Sequence, residues 1–123
     1  MTNKEIAEMF ERHNLVRGYV YPYEGYRSEY WFERAPSNIA NFIMRHSDAR
    51  EIILTDTMDN LILNTMGEFI DRCPDQALLQ QILPHLIPMQ LGEAEPQDFP
   101  SATDAEVEAH FSMQDSMEME LGM

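Results

Sequence analysis

Residues 15–34 read LVRGYVYPYEGYRSEYWFER, and this stretch decides the fold. From Leu15 to Tyr21 the period is two, because Arg17, Tyr19, Tyr21 and Tyr23 alternate with Val16, Gly18, Val20 and Pro22. Successive side chains of an extended chain point to opposite faces, so the alternation predicts a strand with an amphipathic outer face. Pro22 lacks the amide that a ladder needs, which places it at the strand's end or at a sheet edge. Glu24-Gly25 marks a turn, and the ring-rich stretch from Tyr26 to Arg34 is the returning strand of a β-hairpin.

Toward the N-terminus, Thr2 followed by Glu5 has the spacing of a capping box. Ile6, Met9, Phe10 and His13 then recur at helical spacing, and Asn14 suits the helix exit. Beyond the hairpin, Pro36-Ser37 opens a second helix, with Ser37 or Asn38 expected as its cap. Ile39, Phe42, Ile43 and His46 form its inner stripe. Glu51 to Thr55 and Leu61 to Met66 read as a second strand pair, turning at Met58-Asp59-Asn60. Their unbroken apolar runs predict interior strands covered on both faces. Cys73-Pro74-Asp75 starts a third helix carrying Ala77, Leu78, Gln81 and Ile82, which Pro84 should stop or kink. Gly92 to Thr103 reads as a linker, and Asp104 to Met123 as an acidic segment with Val107, Phe111, Met117 and Leu121 near one helical face.

The expected architecture is therefore α+β. Its order is α-β-β-α-β-β-α, an antiparallel four-stranded sheet with about three helices on one face and an acidic C-terminal tail. Residues 1–91 would be the folded domain, and residues 92–123 the acidic linker and C-terminal segment. A chain of 123 residues can bury about two-thirds of its surface, enough for a core without metal or disulfide support. One cysteine excludes an internal disulfide framework, and no apolar run approaches the roughly 20 residues of a membrane helix. The charged opening residues have no signal-peptide pattern, so the expected location is cytoplasmic.

Charge is the most informative property. Eight basic residues oppose 22 acidic ones, and every Lys and Arg lies between Lys4 and Arg72. From Cys73 to Met123 there are ten acids and no base. Such a segment repels nucleic acid and anionic membrane, and is drawn toward basic surfaces, most of which hold nucleic acid. Acidity that only maintains solubility is the plainer reading.

The candidate chemistry is weak by comparison. The four histidines are too widely spaced for a zinc site, so neither metal nor cofactor is expected. Cys73 at a helix start could form a thiolate, but no base or oxyanion site accompanies it, so a structural cysteine and no enzyme are expected. Asp56, Asp59, Asn60 and Asn64 lack the ligand order of a calcium loop and suit a turn instead. In the hairpin, Glu24, Glu29 and Glu33 cancel Arg17, Arg27 and Arg34, which argues against a base-stacking groove. The rings and arginines there are the residue types of protein interface hot spots.

The expected function follows from these two features. It is a non-enzymatic acidic protein that blocks the basic nucleic-acid-binding surface of a protein partner, as DNA-mimic inhibitors of restriction or CRISPR effectors do. Direct binding to nucleic acid or membrane is not expected. Arg17, Tyr19, Tyr21, Tyr23, Trp31 and Phe111 would be the anchors. Glu93, Glu95, Asp98, Asp104, Glu106, Glu108, Asp115, Glu118 and Glu120 would oppose the partner's cations. The alternative is a small regulatory or adaptor domain that binds a protein through its aromatic hairpin face.

Overall fold

The computed structural model describes residues 3–11, 14–67 and 69–121, with side chains for 4–11, 14–67 and 69–112. The expectations for Thr2 and His13 lie outside the described residues. The chain runs α1 (Asn3–Glu11), β1 (Leu15–Tyr21), β2 (Ser28–Glu33), α2 (Pro36–Arg45), β3 (Glu51–Thr55), β4 (Leu61–Met66), β5 (Phe69–Arg72), α3 (Gln76–Gln90), β6 (Ser101–Thr103) and α4 (Asp104–Leu121). The strands form one antiparallel sheet in the order β5-β4-β3-β1-β2-β6. The class is α+β, but among the described residues there are six strands and four helices, not four and three.

Alternation in the β1–β2 hairpin sorts its residues onto two faces. Val16, Val20 and Phe32 join the main core, which α2 and α3 cover with Ile39, Phe42, Leu78, Ile82 and Leu86. Gly18 lies where α2 comes closest. A Cβ there would stand 2.7 and 2.8 Å from two ring carbons of Phe42. Its absence lets Phe42 stack on Phe32, with ring centroids 4.8 Å apart.

The opposite face is covered at one end. Ile6 and Met9 of α1, Leu15, Ala102 and Val107 of α4 form a second small core, flanked by Phe10 and Trp31. Helices therefore lie on both faces of the sheet, correcting the expectation of a single helical layer. On β3, Ile52 and Leu54 are buried while Ile53 is only half-buried, beside Tyr19 in the register. The strand is interior, as expected, but the open face covers it incompletely.

Two helix boundaries differ from expectation. At α2 the cap position is Ala35, with no side-chain cap bond, and Asn38 instead donates its amide to the Glu33 carbonyl at 3.0 Å. Pro36 at the first helical position needs no amide partner, which makes a side-chain cap less necessary. At α3, Asp75 caps the start by accepting from the Leu78 amide at 3.1 Å, and the helix continues through both Pro84 and Pro88. Burial of Leu78, Ile82, Leu86 and Met89 along one stripe offsets the lost bonds. Pro84 is exposed, so its ring lies away from the packed side.

The stretch read as a linker ends in the edge strand β6, which pairs Ser101, Ala102 and Thr103 with Phe32, Trp31 and Tyr30. On the way there, the Gln97 amide donates to Asn41 at 2.7 Å, Arg45 pairs with Asp98, and Phe99 packs edge-on against Phe32 at 5.3 Å. Thr103 then caps α4, accepting from the Glu106 amide at 3.2 Å.

Candidate functional site

The odd-numbered residues of β1 build the site. Arg17 and Tyr19 face Trp31 and Glu29 of β2 directly across the hairpin, on the side away from the main core. Glu29 is the hub. Its side chain, only 13% exposed, accepts from Arg17 at 2.7 Å on one oxygen and pairs with Arg27 at 2.9 Å through the other. The Arg17 guanidinium lies 4.9 Å from the centre of Trp31 and 5.2 Å from Tyr19, and Arg27 also lies 5.2 Å from Tyr19. Arg27 further donates to the Tyr21 hydroxyl at 3.3 Å. Each such contact contributes about 0.5–1 kcal/mol, enough in combination to hold the rings in one arrangement.

Asp104, the first residue of α4, closes the ladder at its other end. Its Oδ1 accepts from the Trp31 indole at 3.3 Å and from Arg17 at 3.5 Å. Burial alone would lower the Arg17 pKa, but the Glu29 hydrogen bond and the carboxylates of Glu29 and Asp104 outweigh it and hold the group above its ordinary value. The cations of this face are thus bound internally. It presents a neutralised aromatic surface, not the cationic groove that a single strand follows.

The structure brings Arg17, Tyr19, Tyr21, Trp31 and Asp104 into one cluster. It leaves the other expected residues apart from it. Tyr23, 71% exposed, stands on the hairpin loop with Tyr26, which is 97% exposed. Glu93 and Glu95 are exposed after α3, while Asp98 is held by Arg45 beside α2. Glu106, Glu108 and Phe111 are exposed on α4, across the sheet from α2. The acidic residues therefore wrap around the β6 edge and do not share one face. The side chains of Asp115, Glu118 and Glu120, with those of Met117 and Leu121, lie outside those described.

Arg27 and Glu29 belong to the cluster although the sequence reading did not place them in the site. The period-two alternation of β2 was the signal that would have found Glu29, because it puts Glu29 on the same face as Trp31, and in the fold it stands opposite Tyr19.

The remaining candidates have structural explanations. Asp56 accepts from the amides of Met58 and Asn60 at 2.8 and 2.9 Å, which builds the β3–β4 turn and lowers its carboxyl pKa, the Asn60 bond foremost. Cys73 is buried, and that burial, followed by the Asp75 charge, raises its thiol pKa, which disfavours a nucleophilic thiolate. His46 packs between Tyr30 and Phe42, at ring distances of 5.1 and 4.6 Å. Among the described residues, no group of three or more His, Cys, Asp or Glu side chains could hold a metal, and no helix is long and apolar enough to cross a membrane.

Compared with protein-family models, curated proteins and solved structures, the chain matches none.

Proposed function

We propose that the chain is a non-enzymatic acidic protein that occupies the basic, nucleic-acid-holding surface of a partner protein, in the manner of DNA-mimic inhibitors of restriction or CRISPR effectors. One observation carries the reading. Arg17, Arg27 and Arg45 are tied to acids within the molecule, while Glu93, Glu95 and Glu108 are exposed and have no ion pair among the described residues. With a net charge of −14, these carboxylates are left to meet cations from outside. Long-range attraction of this kind steers encounter and selects a basic partner over an acidic one.

The test is displacement. The full chain is titrated into a complex of labelled duplex DNA with a basic restriction or guide-RNA effector. Release of the DNA is expected, with affinity falling steeply as salt rises, because exposed pairs are screened over about 8 Å at physiological ionic strength. Failure to release DNA from any such effector, or binding indifferent to salt, would overturn the proposal.

A second reading has its own support. Tyr23 and Tyr26 are exposed together on the hairpin loop, a residue type that often anchors protein interfaces. An adaptor working through that loop would lose its partner in Tyr23→Ser/Tyr26→Ser. It would keep the partner when Glu93, Glu95 and Glu108 are changed to Gln.

A further inference from the structure

Where α1, β2 and α4 meet, a shallow cleft of about 440 Å³ opens to solvent. Phe10, Trp31 and Phe111 supply its aromatic lining, and Asp104 and Glu108 its carboxylates. Asp104, Glu108 and Phe111 are separated by four and three residues, so both acids and the ring form one stripe of α4. Val107 and His110, also on α4, are buried. The rings are held firmly. Phe10 lies 5.3 Å from Trp31 and meets Phe111 edge to face at 5.1 Å. Phe111 nonetheless remains 40% exposed, an unusual position for a large ring packed beside two others.

We infer that this cleft receives a single basic side chain, an arginine or lysine, from a protein partner. The occupant is chosen by charge complementarity. An apolar side chain would fit the rings but would bring Glu108 out of water with nothing to pair it. An anion would be repelled. A guanidinium or ammonium satisfies both halves of the lining, because ring faces attract cations as carboxylates do. The molecule already makes this arrangement once, with Arg17 against both the Trp31 ring and Asp104. Asp104 is therefore partly neutralised from within, whereas Glu108 is exposed and has no ion pair among the described residues. Glu108 is the principal anchor, and Phe111 is the surface on which the cation's carbon stem or guanidinium plane rests.

This inference rests on the proposed acidic, partner-binding function and names where on the surface one residue of the partner would be fixed. Trp31 is the only tryptophan in the chain, so its fluorescence reports the cleft directly. The full-length protein is titrated with a hexa-arginine peptide and, separately, with its neutral hexa-citrulline counterpart. The arginine peptide is expected to shift Trp31 emission, and the citrulline peptide to leave it unchanged. Glu108→Gln and Phe111→Ala should each weaken the arginine response about twofold to fivefold, the range of one surface ion pair or one cation–ring contact. Asp59→Asn, which removes a charge at the remote β3–β4 turn and keeps a residue tolerant of its φ of 62°, should leave the response intact.

The failures separate. Hexa-arginine binding, measured by calorimetry, that leaves Trp31 silent or ignores Glu108→Gln overturns the cleft and spares the acidic reading. An equal response to hexa-citrulline also overturns the cleft, by showing an apolar site. Absence of any hexa-arginine binding overturns both.

Discussion

Trp31 donates its indole N–H to Asp104 at 3.3 Å, joining residues 73 positions apart. Asp104 begins α4, so this bond fixes where the acidic helix leaves the sheet. The same carboxylate oxygen faces Arg17 at 3.5 Å, which couples the helix start to the Glu29 ladder. Asp104→Ala removes both partners and should lower stability by about 1 kcal/mol, the ordinary net value of one such bond at a partly exposed position. Asp104→Asn retains an acceptor for the indole and should cost less. Urea midpoints check the order, and Trp31 emission should shift only in the alanine variant. Equal midpoints for all three proteins would mean the bond does not hold α4.

Gly18 shows how closely α2 approaches the sheet. Because a Cβ would meet ring carbons of Phe42 at under 3 Å, Gly18→Ala must push α2 outward or turn the ring. Overpacking of this kind costs about 1–3 kcal/mol. The double variant Gly18→Ala/Phe42→Leu should destabilise less than the sum of its parts, because the smaller side chain vacates the space. Additive losses in denaturant would place the strain elsewhere.

The hairpin, α2, β3 and β4 were legible because each buries a face whose period shows in the residues themselves. The register was not. Shifting the pairing by two residues would keep Arg17 and Tyr19 on the same side but change the residues opposite them, and only the folded turn decides it. That is why Glu29, opposite Tyr19, reads in the sequence only as a charge that cancels an arginine and not as the hub of the site. β5 and β6 were not counted as separate strands for a different reason. FIDR and SAT are too short to carry a period, and SAT is a strand only because β2 offers it an edge. The start of α4 did have a readable signal, since Thr103 and Glu106 have capping-box spacing. At Pro84 the sequence predicts a stop or a kink, and α3 runs on because the buried stripe overrides local propensity.

His46 gives the fold a pH dependence of its own. Burial opposes protonation, with Asp48 working against that effect and Arg45 with it, and the imidazole pKa falls below its ordinary 6.5. The unfolded chain takes up a proton near 6.5 while the folded chain does not. His46 therefore contributes stability that is complete above that value and is lost as pH falls below it, down to the folded pKa. The urea midpoint should fall further between about pH 7.5 and 5.5 in the natural chain than in His46→Phe. An identical fall in both proteins would assign the pH dependence to groups other than His46.

Ending the chain after Leu91 is the obvious way to ask whether the acidic segment carries the function, and the structure predicts that it fails for another reason. The cut removes Phe99 from its contact with Phe32, and with it the buried Ala102 and Val107. It also strips β6 from β2, exposing backbone that pairs at Tyr30, Trp31 and Phe32. Burying one large apolar side chain contributes about 1.5–3 kcal/mol. Losing Phe99 and Val107 together with the β6 ladder should therefore remove more than about 3 kcal/mol, a large share of the roughly 5–15 that holds a domain folded. Circular dichroism should show the shortened chain melting well below the full one, or unfolded at room temperature. In contrast, the full chain carrying Glu93→Gln, Glu95→Gln and Glu108→Gln should keep its Tm, since all three side chains are exposed. The charge variant is thus the clean probe of function, and the truncation a probe of the fold. A shortened chain with an undiminished Tm would make residues 92–121 a separable appendage and return the truncation to use.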